Sequence, residues 1–130
     1  MGKVFEFLIV FYIGGLAYGA VELLWRGRTH WTMLLAGGVC FLFMYLTATA
    51  TALAPLGQYT LCAALISAVE FVTGAVVNLR LGWNVWDYSD QPANLYGQIC
   101  LRYTAYWFML SVPGCALARF LYGSVFHRGL

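Results

Sequence analysis

Trp83–Gln98, WNVWDYSDQPANLYGQ, is the only long polar passage in this sequence, and its reading decides the fold. Its sixteen positions hold two Trp, two Tyr, two Asp, two Asn, two Gln, a Ser and a Pro. Apolar runs of about 20 residues flank it on both sides, the length of a helix that crosses a bilayer. The passage therefore lies at or within a membrane boundary. Non-helical backbone at that depth is tolerated only where protein or a water-filled cavity covers it. A re-entrant or interfacial segment is the expectation. Trp83, Trp86 and Tyr88 suit an interfacial aromatic belt. Asp87, Ser89, Asp90 and Asn94 carry polarity that a belt does not need.

Outward from this passage the chain is apolar. Of 130 residues, 62% are hydrophobic and 9% charged, and the mean hydropathy is +0.76. A soluble domain carries roughly 25% charged residues, so lipid is the solvent for much of this surface. The runs are too long for the strands of about 10 residues that build a membrane barrel. The expected fold is all-α, an integral membrane bundle of four transmembrane helices forming a single domain over residues 1–130. Spans are expected at about 4–25, 31–53, 58–79 and 95–117, with the polar segment at about 80–94. A net charge of +2 without clustered basic residues excludes a nucleic-acid partner. Cys40, Cys62, Cys100 and Cys115 all lie in apolar runs without a CxxC pair, and they read as small hydrophobes. Lys3 precedes an apolar run that is too long for a signal peptide and has no clear cleavage site.

The first span carries Glu6 near its start, within reach of the interface, and Gly15-x-x-x-Gly19, a small-residue spacing that lets helices approach closely in lipid. Glu22 and Arg26 share a helix face four residues apart. Thr29 is a plausible N-cap for the second span, and His30 and Trp31 sit at interfacial positions. Thr47, Thr49 and Thr51 can bond their own helix carbonyls. In the third span Glu70 is a carboxyl deep in an apolar helix, where an Asp costs about 2.5–3.5 kcal/mol on insertion scales. Glu70, Gly74 and Asn78 form one narrow polar stripe at four-residue spacing. In the fourth span Gln98 and Arg102 share a face, and Arg102 would snorkel or pair with a carboxylate. Pro113-Gly114 is expected to loosen the end of that span. Lys3, Arg119 and Arg128 fall on one membrane face, and Arg26, Arg28 and Arg80 on the other. That near balance leaves the positive-inside rule little to act on.

Gly15-Leu-Ala-Tyr-Gly-Ala-Val-Glu22, Arg26-Gly27, Thr29-His30-Trp31, Glu70 with Thr73-Gly74 and Asn78, Trp86-Asp87-Tyr88-Ser89 and Asn94-x-x-Gly97-Gln98-Ile99-Cys100 together make a pattern. In it the sequence resembles the small bacterial membrane proteins of the ABC-transporter type IV, or CmpB-like, family over nearly its whole length. The resemblance implies a membrane transport role in the bacterial inner membrane. The chain has no Walker A loop, so any ATPase would be a separate subunit.

Three functions compete. In the first, the protein is a transporter or channel subunit for a small solute or ion. Glu22, Arg26, Glu70, Asn78, Asp87, Asn94, Gln98 and Arg102 would then line a polar cavity near one membrane face, with His30, Trp86 and Tyr88 as further binding residues beside it. One four-helix bundle is small for a translocation path, so a homo-oligomer, a dimer or larger, would surround the solute. In the second, the chain is an intramembrane enzyme or binding protein for a lipid or isoprenoid, with Asp87 and His30, or Glu22 and Arg26, supplying acid–base and phosphate-holding groups. No HExxH, Asp-x-x-Asp or GxSxG motif supports enzymatic chemistry. In the third it is an accessory or structural subunit. Polar contacts in membranes average about 0.6 kcal/mol each, and eight polar positions exceed what packing needs, so transport is favoured. No cofactor and no metal ion are expected.

Overall fold

In lipid an apolar segment must satisfy its own backbone, and the helix does so within one segment. The computed structural model describes residues 2–127 and folds the four apolar runs accordingly. Arg128, placed above on one membrane face with Lys3 and Arg119, lies outside the described residues. Helix α1 spans Lys3–Arg26, α2 Trp31–Ala50, α3 Pro55–Gly74 and α4 Leu101–Phe120. α3 runs on through a wider π-helical end, Ala75–Arg80, and α4 through Leu121–Phe126. Two short strands, β1 (Asn94–Leu95) and β2 (Ile99–Cys100), pair antiparallel between α3 and α4. All four helices are long and apolar enough to cross a membrane, since 20 residues rise about 30 Å.

The two faces of α1 explain its place. Val4, Leu8, Tyr12 and Leu16, four residues apart, are all more than half exposed, as a lipid-facing stripe requires. Glu6, Val10, Gly14 and Glu22 repeat on the opposite stripe and are buried. Glycine lets α1 meet α2 backbone to backbone. A Cβ added at Gly15 would stand 2.8 Å from the Leu34 carbonyl oxygen, and one at Gly38 would stand 2.8 Å from the Phe11 carbonyl oxygen. α1 ends at Gly27, whose left-handed φ of 73° lets its N–H reach back to the Leu23 carbonyl at 3.0 Å.

Several helix ends and one cap differ from the sequence expectation, each with a local cause. α2 starts on a cap formed by His30, not Thr29: the His30 ring accepts from the Thr32 N–H at 3.3 Å, whereas the Thr29 hydroxyl is buried without a partner among the described residues. α2 stops at Ala50 because Thr51 turns extended, ahead of Ala54, which is held extended by Pro55. Pro55 then opens α3 at the position where its missing N–H is no loss. α4 begins at Leu101 rather than near Leu95 because residues 94–100 form a hairpin. Tyr96 (φ 54°) and Gly97 (φ 72°) both take left-handed conformations, and the Gln98 N–H closes the turn on the Leu95 carbonyl at 3.0 Å. That pair of positive φ angles matches the twist of a tight hairpin.

The bundle has a dry end and a wet end. Toward the chain termini, Val10, Tyr45, Cys62, Ser111, Cys115 and Ala118 are sealed from solvent. Glu6 is buried there too, and it accepts from the Tyr45 hydroxyl and meets His127 Nε2 at 2.9 Å. α4 stays helical through Pro113, and all four cysteines are free. At the other end a smaller cluster of Met33, Val77, Val85 and Trp86 sits under the loop of residues 81–100.

Candidate functional site

The stripe of Glu70, Gly74 and Asn78 on α3 is the track on which this loop docks. Asn78 accepts from the Val85 N–H at 2.7 Å and donates to Gln98 Oε1 at 2.8 Å. Gly74 leaves room where any Cβ would collide with Gln98 Oε1 and lie 2.9 Å from the Trp86 ring. The Trp86 Nε1–H donates to the Gln98 carbonyl at 3.0 Å. At the deep end of the track, Glu70 accepts from the Tyr88 hydroxyl at 3.0 Å and from Trp107 Nε1–H at 3.3 Å. The loop is held internally as well. Asn94 donates to the Gln91 carbonyl at 2.8 Å and accepts from the Gly97 N–H at 3.0 Å. Asp87 accepts from both the hydroxyl and the N–H of Ser89.

Between this loop, α1 and α4 lies a cavity of about 520 Å³. Glu22 and Arg26 enter it from α1. They form an ion pair at 3.4 Å, and the second guanidinium nitrogen of Arg26 donates to the Val85 carbonyl at 2.8 Å. Asp87, Asp90 and Gln91 border it from the loop, and Arg28 from the α1–α2 turn. A second cavity of about 220 Å³ adjoins it deeper in the bundle and shares Tyr18, Val21, Met33, Trp107 and Leu110 with it. Its lining is apolar apart from Glu70 and a few small polar groups. Val21 and Leu117 border this lower space and are each 39% exposed. It therefore opens sideways between α1 and α4. Outside the membrane spans, the Ser89 hydroxyl and N–H hold the Asp87 carboxyl below its usual range. Burial, and then the Glu70 carboxyl, push the Tyr88 hydroxyl up.

Of the residues singled out from sequence, Glu22, Arg26, Trp86, Asp87 and Tyr88 come together on the upper cavity, and Glu70 borders the lower one. Asn78, Asn94 and Gln98 lie outside both cavity linings and hold the loop. His30 caps α2 and borders a separate small pocket with Arg28 and Trp83. Arg102 points away, its Nε donating to Tyr106 at 2.9 Å. Sequence reasoning missed the aromatic wall. Tyr18 and Trp25 on α1 face Tyr103, Tyr106 and Trp107 on α4, with Tyr18–Trp107 and Trp25–Tyr106 ring centroids 6.1 and 5.8 Å apart. The signal was present: 103, 106, 107 and 110 share one helix face. Among the described residues, no three of His, Cys, Asp and Glu stand together as a metal site.

Four membrane-length helices define a small multi-pass membrane protein. The chain belongs to the family described as "Putative ABC-transporter type IV" (ABC_trans_CmpB), whose model matches residues 5–127. No curated protein and no solved structure matches it.

Proposed function

We propose that this protein is the solute-holding membrane subunit of a transporter. The observation that supports this best is the convergence of Glu22, Arg26, Asp87 and Tyr88 on one cavity, with Glu70 on the deeper cavity that adjoins it. Five ionisable groups from two helices and a loop, gathered around a space large enough for a small solute, exceed what a packing role requires. The sealed core around Val10, Tyr45 and Cys115 stops the cavity from crossing the bundle. A bound solute therefore leaves through a rearrangement of α1 against α4, or across the boundary with a second copy in a homo-oligomer. Energy would come from a separate ATPase subunit, and the setting is the bacterial inner membrane.

The test is ATP-driven solute uptake in proteoliposomes holding the chain together with the ATPase subunit that co-purifies with it, challenged in turn with potassium, sodium, amino-acid and quaternary-ammonium salts. Glu70→Gln, whose amide oxygen can still accept from Trp107 Nε1–H while its NH2 donates to the Tyr88 hydroxyl, should abolish movement of the responding solute. The variant should melt as the parent does. Movement unchanged by the substitution would remove the reading.

A further inference from the structure

The transport reading leaves the solute unspecified, but the cavity walls narrow its chemistry. We infer that the paired cavities between α1 and α4 bind a hydrophobic organic cation, an alkylated or aromatic ammonium or phosphonium ion whose apolar body fills the lower space. The inference rests on the transport reading only for what the site is for; the binding itself can be measured without transport.

Three independent observations converge. The first is the aromatic surround. Tyr18 and Trp25 from α1, Tyr88 from the loop, and Tyr103, Tyr106 and Trp107 from α4 line the upper cavity. Tyr88 and Tyr103 are stacked face to face with centroids 4.6 Å apart. Aromatic faces attract weakly hydrated cations within about 6 Å of the ring, and cages of such rings are how quaternary ammonium groups are recognised. An inorganic cation would instead demand several oxygen ligands in close array.

The second is the charge balance. Glu22, Asp87 and Asp90 border the upper cavity and Glu70 the lower one, against Arg26 and Arg28. Arg26 is already engaged by Glu22 and the Val85 carbonyl, and Arg28 is exposed at the mouth. Glu70 is 6% exposed, and its hydrogen bonds come from a phenol and an indole, both neutral. Among the described residues it has no ion-pair partner. A buried carboxyl without a cation either holds a proton or meets a positive group, and a ligand cation at the junction of the two cavities takes the proton's place. The other titratable or charged groups around this point are Tyr18 and Glu22 on α1, Cys40 on α2, Tyr88 on the loop, and Arg26 beyond Glu22; none but Arg26 is a cation.

The third is shape. The lower cavity of about 220 Å³ is lined mainly by apolar side chains, with Glu70, Thr73 and Cys40 among them, and opens sideways at Val21 and Leu117. An apolar body enters there from the bilayer, and its charged centre comes to rest beside Glu70 and the Trp107 ring.

The experiment uses the purified full chain in dodecyl maltoside micelles, with radiolabelled tetraphenylphosphonium as probe. Tetraphenylborate, of matching size and opposite charge, is the comparison. Saturable phosphonium binding is expected, at least tenfold tighter than borate binding. Glu70→Gln should weaken it at least tenfold, Glu70→Asp should recover part of the loss, and Trp107→Leu should weaken it severalfold. Tyr12→Phe, on the lipid face of α1, should leave it unchanged. The comparison of phosphonium with borate needs no variant, so a misfolded Glu70→Gln does not blunt the test. Borate binding as tightly as phosphonium overturns the inference; if Arg26→Gln weakens that binding, the site takes an anionic headgroup instead. Phosphonium bound in this Glu70-dependent way, with no Glu70-dependent movement beyond that of protein-free vesicles, keeps the ligand class and removes transport. Glu70-dependent movement of another solute, without phosphonium binding, removes the ligand class alone.

Discussion

Asn78→Ala is the sharpest probe of how the loop is held. The side chain makes two hydrogen bonds across the loop, one from the Val85 N–H at 2.7 Å and one to Gln98 Oε1 at 2.8 Å. Val85 and Gln98 are 8% and 3% exposed, so little water reaches the groups left behind. A net hydrogen bond is worth about 0.5–1.5 kcal/mol, and an orphaned buried group costs about 1–3 kcal/mol. Two such contacts inside a membrane, by contrast, would total only about 1.2 kcal/mol at the average of about 0.6 each. The loop lies at the polar end of the bundle, where its opened form is hydrated, so the larger scale applies. The expected loss is about 2 kcal/mol, a roughly 30-fold rise in the opening equilibrium of residues 81–100 at about 1.4 kcal/mol per decade. Hydrogen exchange of the peptides covering this segment, in micelles, reads that quantity directly. The acceleration should stop at the loop, leaving α2 and the middle of α3 as slow as before. A cycle with Gln98→Ala should show coupling of about 0.5 kcal/mol or more, since the two side chains touch. Exchange at 81–100 that matches the parent would mean that Asn78 does not anchor the loop, and the docking track from Glu70 to Asn78 would then have no energetic basis.

Three further outcomes follow from the geometry. Gly15→Ala should destabilise the bundle by about 1–3 kcal/mol in a denaturation titration, because its Cβ would stand 2.8 Å from a backbone oxygen that cannot swing aside; Gly123→Ala, which meets nothing within 4 Å, should stay within about 0.5 kcal/mol of the parent. At the dry end, Tyr45→Phe should lower the melting temperature more than His127→Ala, since Tyr45 is 1% exposed whereas the His127 side chain is 17% exposed and water can take its place on Glu6. The Asp87 turn is held by a carboxyl whose folded pKa lies below its usual value, so its contribution is complete above about pH 4 and fades as pH falls through the folded pKa; faster Ser89 amide exchange already at pH 6 than at pH 8, after correction for intrinsic rates, would contradict this.

The helices were legible because hydropathy and length are local properties. Val4 to Arg26 declares itself by its run of apolar residues, and the glycines at 15 and 38 declare a close contact. The start of α4 was not legible in the same way. Leu95-Tyr96 and Ile99-Cys100 are apolar enough to extend a span, and the hairpin they form depends on backbone conformations at Tyr96 and Gly97 that only the glycine hints at. The same limit governs the site. Spacing put Glu70, Gly74 and Asn78 on one face, but not what that face would meet. Asn78 and Gln98 looked like cavity polarity and turned out to serve each other, because pairing across twenty residues of sequence is a tertiary event. The aromatic wall was hidden for the opposite reason: Tyr103, Tyr106 and Trp107 have the composition of an interfacial belt, and only the placement of α1 opposite them turns a belt into a lining.

That placement also says where the molecule would give way. α1 makes its extensive contact with α2, through glycine, whereas α4 packs on both α2 and α3. What joins α1 to the loop and α4 is sparse and polar or aromatic: Arg26 on the Val85 carbonyl at 2.8 Å, Trp25 donating to the Tyr103 hydroxyl at 3.4 Å, and the Tyr18–Trp107 ring contact. At the far end the Glu6–His127 contact closes the same seam. A glycine-lined helix pair moves as one body because its backbones are in contact. Side-chain bridges of this kind can break singly without exposing a packed core. The cavity therefore occupies a helix boundary that is bridged at its loop end by side chains rather than by backbone contact. Arg26 is the bridge whose release links that boundary to the loop, since the Val85 residue that holds it is itself held by Asn78.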